Sequence, residues 1–182
     1  MNKIFIISDL HFGHTNMAIK RGFKTVEEHD ELIISNWNSV VQKRDTVWIL
    51  GDITMEKSKY EILDRLNGIK KVVLGNHDMP QHVPKMLEHV SQVCSTFKKK
   101  DVIFTHIPIH TQEIGRFRKN IHGHLHEYKV MTWADTAQRT DTGLVVEILD
   151  ERYVNVSCEC VNFTPVELNS LLDLDVNGNE QR

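Results

Sequence analysis

Short apolar runs alternate with polar stretches along most of the chain. Ile4-Phe5-Ile6-Ile7 predicts a buried strand over 3–8, and Thr46–Leu50 and Ile69–Leu74 predict two more. Between the first two, Val26, Leu32, Ile33, Trp37, Val40 and Val41 share one stripe of a helix over 25–43, with Thr25 and Glu28 placed as a capping box. Ser58 and Glu61 mark another box, for a helix reaching about Leu66. Strand, helix, strand, helix, strand at this spacing predicts βαβ units and a mostly parallel start to a sheet. Further on, Pro80 to Val90 predicts a short helix, and Val93–Phe97 and Val102–Thr105 predict strands around the basic turn Lys98-Lys99-Lys100-Asp101. Leu144–Ile148 and Tyr153–Val161 predict a hairpin around Asp150-Glu151, with Cys158 and Cys160 on one face of its second strand. Residues 127–141 carry little periodicity. Thr164-Pro165-Val166-Glu167 opens a terminal helix with Pro at N1 and Glu at N3, and the polar tail 174–182 is expected to fray. No repeat or linker divides the chain, so 1–182 reads as a single α/β domain.

Composition narrows the class. The chain is 40% hydrophobic and 26% charged, and no apolar run approaches the roughly 18 residues a membrane span requires. The N-terminus lacks the length and cleavage site of a signal peptide, so a cytoplasmic protein is expected, with no membrane partner. Cys94, Cys158 and Cys160 form no C-x-x-C pair and imply neither a disulfide framework nor a structural zinc site. A net charge of −3 and 7% aromatic residues give no basis for gripping an extended nucleic acid. The segment Glu113–Lys119, though basic, reads as solvated surface.

The chemistry collects where the strands stop. Asp9 and His11 follow the first, and in an extended backbone i and i+2 point to one side. Gly51-Asp52 follows the second, Gly75-Asn76-His77-Asp78 the third, His106 a later one, and Gly123-His124-Leu125-His126 the densest histidine cluster in a chain holding eleven. In open α/β sheets this edge is where ligands bind. His29 reads as structural or solvated.

In this order the five breaks resemble the calcineurin-like metallophosphoesterase superfamily, over residues 4–126. Ser8–His14, Asn36-Trp37-Asn38, Asn155-Val156-Ser157 and Thr164-Pro165-Val166 resemble a small, compact branch of bacterial and phage phosphoesterases. The resemblance implies a four-layer αββα sandwich, two mixed sheets flanked by helices. It also implies two divalent metal ions: Asp9, His11 and His126 on the first, Asn76, His106 and His124 on the second, and Asp52 bridging. Two cations about 3.5–4 Å apart need an anionic bridge and lower the pKa of a shared water from about 15.7 towards about 7. Imidazole, carboxylate and amide donors suit borderline metals such as Mn²⁺, Fe, Zn²⁺ or Ni²⁺ without choosing among them; Mn²⁺ is the expected ion, with Fe, Zn²⁺, Ni²⁺ or Mg²⁺ as alternatives. Their charge would attract a phosphate to a net acidic protein. The resemblance places His77 over the leaving oxygen as proton donor, with Asp78 orienting it or a ligand. His14 and Arg21 are candidate substrate contacts. Met55 departs from the family, which often carries a charged residue there. The expected function is hydrolysis of a small phosphomonoester or phosphodiester, nucleotides included; a non-catalytic scaffold on the same fold and a nuclease are the alternatives.

Overall fold

The first apolar runs become β1 (Ile4–Ile7) and β2 (Thr46–Ile49), parallel neighbours with Ile4 opposite Thr46 and Ile7 opposite Ile49. The computed structural model describes residues 2–55, 59–133 and 147–172. β3 (Ile69–Val73) and β4 (Gln92–Cys94) extend the parallel sheet, and β11 (Val166–Glu167) closes its other edge antiparallel to β1. A second sheet runs β10 (Tyr153–Asn155), β7 (Lys119–His122), β6 (Val102–Phe104), β5 (Phe97–Lys99), with only β5 antiparallel. Both sheets are thus mixed, as expected.

Alternation along β2 shows the layers. Val47 and Ile49 pack with Phe5, Ile7, Ile33 and Trp37 on the side covered by α2 (Val26–Val40), while Trp48 joins Ile6, Val102, Phe104 and Ile121 between the sheets. Strands buried on both faces must read as unbroken apolar runs, and these do. Trp48 stacks on Phe97 with ring centroids 4.1 Å apart, which locks the sheets together. On the far side of the second sheet, Asn120 Oδ1 accepts from Ile109 N in the β6–β7 crossover, which contains α4 (Thr111–Ile114). Thr25 caps α2 by accepting from Glu28 N, and Glu28 accepts in return from Lys24 N, one residue before the expected partner. Trp37 is fully buried and its indole N–H donates to Asn67 O at 2.9 Å. Its truncation to Ala would cost about 3–5 kcal/mol.

Several elements differ from expectation. A helix α1 (Thr15–Lys20) precedes α2 without an apolar stripe to announce it. Tyr60–Arg65 is a 3-10 turn, and Ser58 of the expected capping box lies outside the described residues. Pro80–His82 is likewise a 3-10 turn, followed by the single-turn α3 (Val83–Met86). The run Val93–Phe97 is two strands in different sheets, β4 ending at Cys94 and β5 beginning at Phe97, with Ser95 and Thr96 exposed where the chain crosses between them. Among the described residues no hairpin forms around Asp150-Glu151. β9 (Glu147–Leu149) pairs with β8 (Met131–Trp133), inside the stretch expected to be irregular, whereas β10 runs parallel to β7. Asp150 takes Arg152 in a paired hydrogen bond where the chain turns between them. Residues 144–146 lie outside the described residues. Cys158 and Cys160 sit on a 3-10 turn, Cys158–Val161, with Cys158 buried and Cys160 exposed. The terminal helix α5 (Leu168–Leu172) starts later than the capping signal, since Val166 and Glu167 pair with β1 and Lys3 Nζ reaches Glu167 at 2.7 Å. The tail 174–182 lies outside the described residues. Among the described residues no helix is long and apolar enough to cross a membrane.

Candidate metal centre

All the chemistry-bearing breaks fall just past the C-terminal ends of parallel strands: Asp9 and His11 after β1, Asp52 after β2, Asn76 and His77 after β3, His106 after β6, His124 and His126 after β7. The turns are stitched to one another. Asp9 N donates to Gly51 O, His11 N to Asp52 O and Gly123 N to His106 O. Asp9, His11, Asp52, His124 and His126 all have φ between 49° and 69°. A non-glycine residue in this left-handed region costs about 1–3 kcal/mol. Asp9 and His11 therefore converge through a left-handed turn, not through the extended alternation expected from D-x-H. The crowding also dictates glycine. A Cβ on Gly51 would lie 2.5 Å from the backbone of Gly75 and 2.7 Å from His106 Nδ1, and one on Gly123 would overlap Ser8 and the Asp9 carboxylate.

The donors face inward. Asp9, His11 and His126 form one group whose ligand atoms lie within 4.8 Å of one another, and Asp9, Asp52 and His106 form another. Asp9 Oδ2 accepts from His124 N and Ser157 Oγ, both at 2.9 Å, which leaves Oδ1 buried without a partner. Across from it, at 3.9 Å, His11 Nε2 is also buried and unpartnered. Two such atoms cost about 1–3 kcal/mol each unless something else binds them. A carboxylate oxygen and an imidazole nitrogen facing each other in a buried polar site fit a divalent cation. Asp52 Oδ2 stands between the groups, 3.8 Å from His11 Nε2 and 3.4 Å from His106 Nε2. His106 Nδ1 lies 2.7 Å from Leu50 O, a bond it makes as donor, so Nε2 turns into the site. Asn76 Oδ1 is within 2.8 Å of His106 Nε2 and 2.9 Å of His124 Nδ1.

Charge follows burial. Burial pushes the His11 imidazole down despite Asp52. Burial also opposes protonation of His106, but the hydrogen bond and charge of Asp52 outweigh it and raise its pKa. His14 sits at the rim with its ring 5.7 Å from that of His11, and burial lowers its pKa as well. His122 is buried on β7 and held at about 4, mainly by burial.

Arg21 and Lys119 lie elsewhere than the sequence suggested, and of the two partners expected for Asp78 the structure shows a candidate ligand's turn and not His77. Arg21 is not at the substrate face. Its side chain is 1% exposed and its guanidinium is spent on Glu159, Asp9 O, Leu10 O and His29, so it cannot receive a phosphate. Asp78 is buried and does not reach the His77 imidazole. Its oxygens accept from the backbone N–H groups of Asp52, Ile53 and Gly75, tying the β2 and β3 turns together. Lys119, read as solvated, is buried on β7 with Nζ on Glu151 O. His77 is exposed at the rim and its backbone N–H donates to Asp52 Oδ1 at 3.0 Å.

Sequence reasoning missed Glu159 and the role of Ser157. Glu159 Oε1 accepts from His126 Nδ1 at 2.9 Å and from Arg21 Nε at 2.7 Å. Burial would raise its pKa, yet these two donors hold it down at about 2. The Asn155-Val156-Ser157 motif was the available signal. Ser8 N donates to Val156 O and Cys158 N to Ser8 O, so this segment crosses from the second sheet to the first beneath the centre.

The model of the calcineurin-like phosphoesterase superfamily domain matches residues 2–148. An uncharacterized protein of Methanocaldococcus jannaschii is 30% identical over 184 residues, covering 98% of this chain and 94% of that one. The gene 66 protein of Mycobacterium phage L5 is 33% identical, covering 72% of this chain and 81% of its own. A crystal structure of a protein of unknown function from Aquifex aeolicus superposes with a TM-score of 0.66 at 21% identity, covering 96% of this chain and 100% of that one, which is a likeness of fold.

Proposed function

The chain belongs to the calcineurin-like phosphoesterase superfamily, and we propose that it hydrolyses a small phosphomonoester or phosphodiester, nucleotides among the candidates, with two divalent cations, Mn²⁺ foremost. The observation that carries this is the pair of buried, unpartnered atoms, Asp9 Oδ1 and His11 Nε2, 3.9 Å apart among Asp52, His106 and His126. Asp9, His11 and His126 would hold one cation, Asn76, His106 and His124 the other, and Asp52 would join them. When bound, such a pair draws in phosphoryl oxygens and makes a nucleophile of water near neutral pH.

The chain's own groups then have separate tasks. Asp52 is oriented by His77 N at one oxygen and turns the other between His11 and His106. Asp78 keeps the turn bearing Asp52 against the turn bearing Asn76. His77, exposed beside His11 with ring centroids 6.0 Å apart, would pass a proton to the departing oxygen. With the Arg21 guanidinium buried behind the loop, attraction of the phosphate falls to the cations.

Protein stripped with EDTA should be inactive and regain turnover with Mn²⁺ against p-nitrophenyl phosphate, bis-p-nitrophenyl phosphate, 5′-nucleotides or cyclic nucleotides. Full activity after complete metal removal sinks the mechanism. Metal-loaded protein inert to the whole panel favours the scaffold alternative.

A further inference from the structure

Polar contacts from His126 continue through the protein and return to the same site. Glu159 Oε1 accepts from His126 Nδ1 and from Arg21 Nε. Arg21 Nη2 donates to Asp9 O at 2.7 Å, and Nη1 lies 3.3 Å from Leu10 O and 2.8 Å from His29 Nε2. A guanidinium has no acceptor, so His29 Nε2 must accept, its proton sits on Nδ1, and Nδ1–H donates to Asp30 Oδ1 at 2.7 Å. Asp30 Oδ2 accepts from Gly13 N at 3.0 Å. The path thus starts on one candidate ligand and ends on the loop that carries two others, Asp9 and His11. His29 is fully buried, so the network has little freedom to shift. Glu159, Arg21, His29 and Asp30, which carry the path between them, lie outside the five strand-end motifs.

We propose that Glu159 is the positioning residue of the Asp9–His11–His126 half of the centre, holding His126 in the tautomer that presents Nε2 and, through Arg21, holding the Asp9–Gly13 loop opposite. The proposal rests on the reading that this half binds a divalent cation. The physical reason is that a ligating imidazole needs its second nitrogen anchored to fix both tautomer and ring orientation. One carboxylate oxygen here anchors the ring and the loop together, although Glu159 is 138 residues from Arg21 and 33 from His126.

The test is Mn²⁺ titration of the metal-free full chain by calorimetry, comparing wild type, Glu159→Gln, His126→Ala and the double variant. Glu159→Gln keeps size and an acceptor but removes the charge. One of the two ions should weaken by about 10–100-fold, with the other unchanged within about threefold. The double variant should lose clearly less than the sum of the two single losses, because the His126 branch is shared while the Arg21 branch to the Asp9 loop is not; two independent structural roles would add in full. Glu159→Asp, too short to reach both partners, should show the same selective loss and serves if the Gln variant does not fold. Both ions held as in wild type by Glu159→Gln or Glu159→Asp, or losses that add in full in the double variant, overturns the role of Glu159. Wild type that takes up no Mn²⁺ overturns this role and the proposed function together. Wild type that binds two ions and turns over substrate, beside an unaltered Glu159 variant, overturns this role alone.

Discussion

In the half formed by Asp9, His11 and His126, the first two residues are buried and offer atoms that no protein group satisfies. In the half formed by Asn76, His106 and His124, the donors already engage one another through Asn76 Oδ1, and Asn76 is exposed. The first half is walled by groups that cannot relax inward: Ser157 and His124 N pin Asp9, and Glu159 pins His126. Its desolvation cost is uncompensated within the protein, so a cation there is met by preorganised donors. The second half must give up two internal contacts before it can bind. The lesson is that two donor sets of similar composition can differ in readiness, and the first half is expected to hold its ion more tightly.

The largest effect should come from removing what joins the halves. Asp52→Ala is expected to lower turnover by roughly 10³-fold or more, a scale set by loss of a central electrostatic group, and to abolish binding of two Mn²⁺ per chain. A variant that keeps two tight ions removes Asp52 from the bridging position. His77 belongs to neither half, so His77→Gln should leave metal content intact and reduce kcat by about 10²–10⁴-fold for esters with poor leaving groups. Equal losses for p-nitrophenolate and alkoxide leaving groups would end its role as acid. Graded chelation then tests the contrast itself. One ion should leave well before the other, and Asn76→Ala should weaken only the weaker site, by about tenfold on the scale of lost ligand support. Simultaneous release of both ions by wild type would mean the halves are equivalent.

The smallest effect is on protonation of the metal-free protein, read from histidine ring resonances against pH. His106 should protonate above the ordinary histidine value near 6.5 and His11 below it. The signs for stability are opposite. The contribution of His106 is present below its ordinary pKa and lost as pH rises through the raised folded value. That of His11 is present above its ordinary pKa and lost as pH falls towards the depressed folded value. A His11 that titrates at or above the ordinary value contradicts a desolvated first half.

The strand ends were legible because each places an apolar run directly beside a residue with metal or proton chemistry, and both signals are local. Arg21 was misread for the same reason. Beside Gly22-Phe23 it looks like a loop cation, and the partner that consumes it, Glu159, comes from the other end of the chain. Val93–Phe97 read as one strand because a short run of β-favouring residues reports extended backbone and not the sheet each half pairs with.

By itself, the sequence determined the first three strands and the long helix between the first two, the residues at each break and the superfamily, since these depend on periodicity and spacing within short windows. Only the tertiary structure decided which donors are satisfied and which are left open, that Asp78 fastens two turns, and that Glu159 and Ser157 support the centre. Those outcomes depend on hydrogen-bond geometry and desolvation between separate segments, from 26 residues apart for Asp78 and Asp52 to 148 for Ser157 and Asp9, for which one-dimensional spacing holds no information.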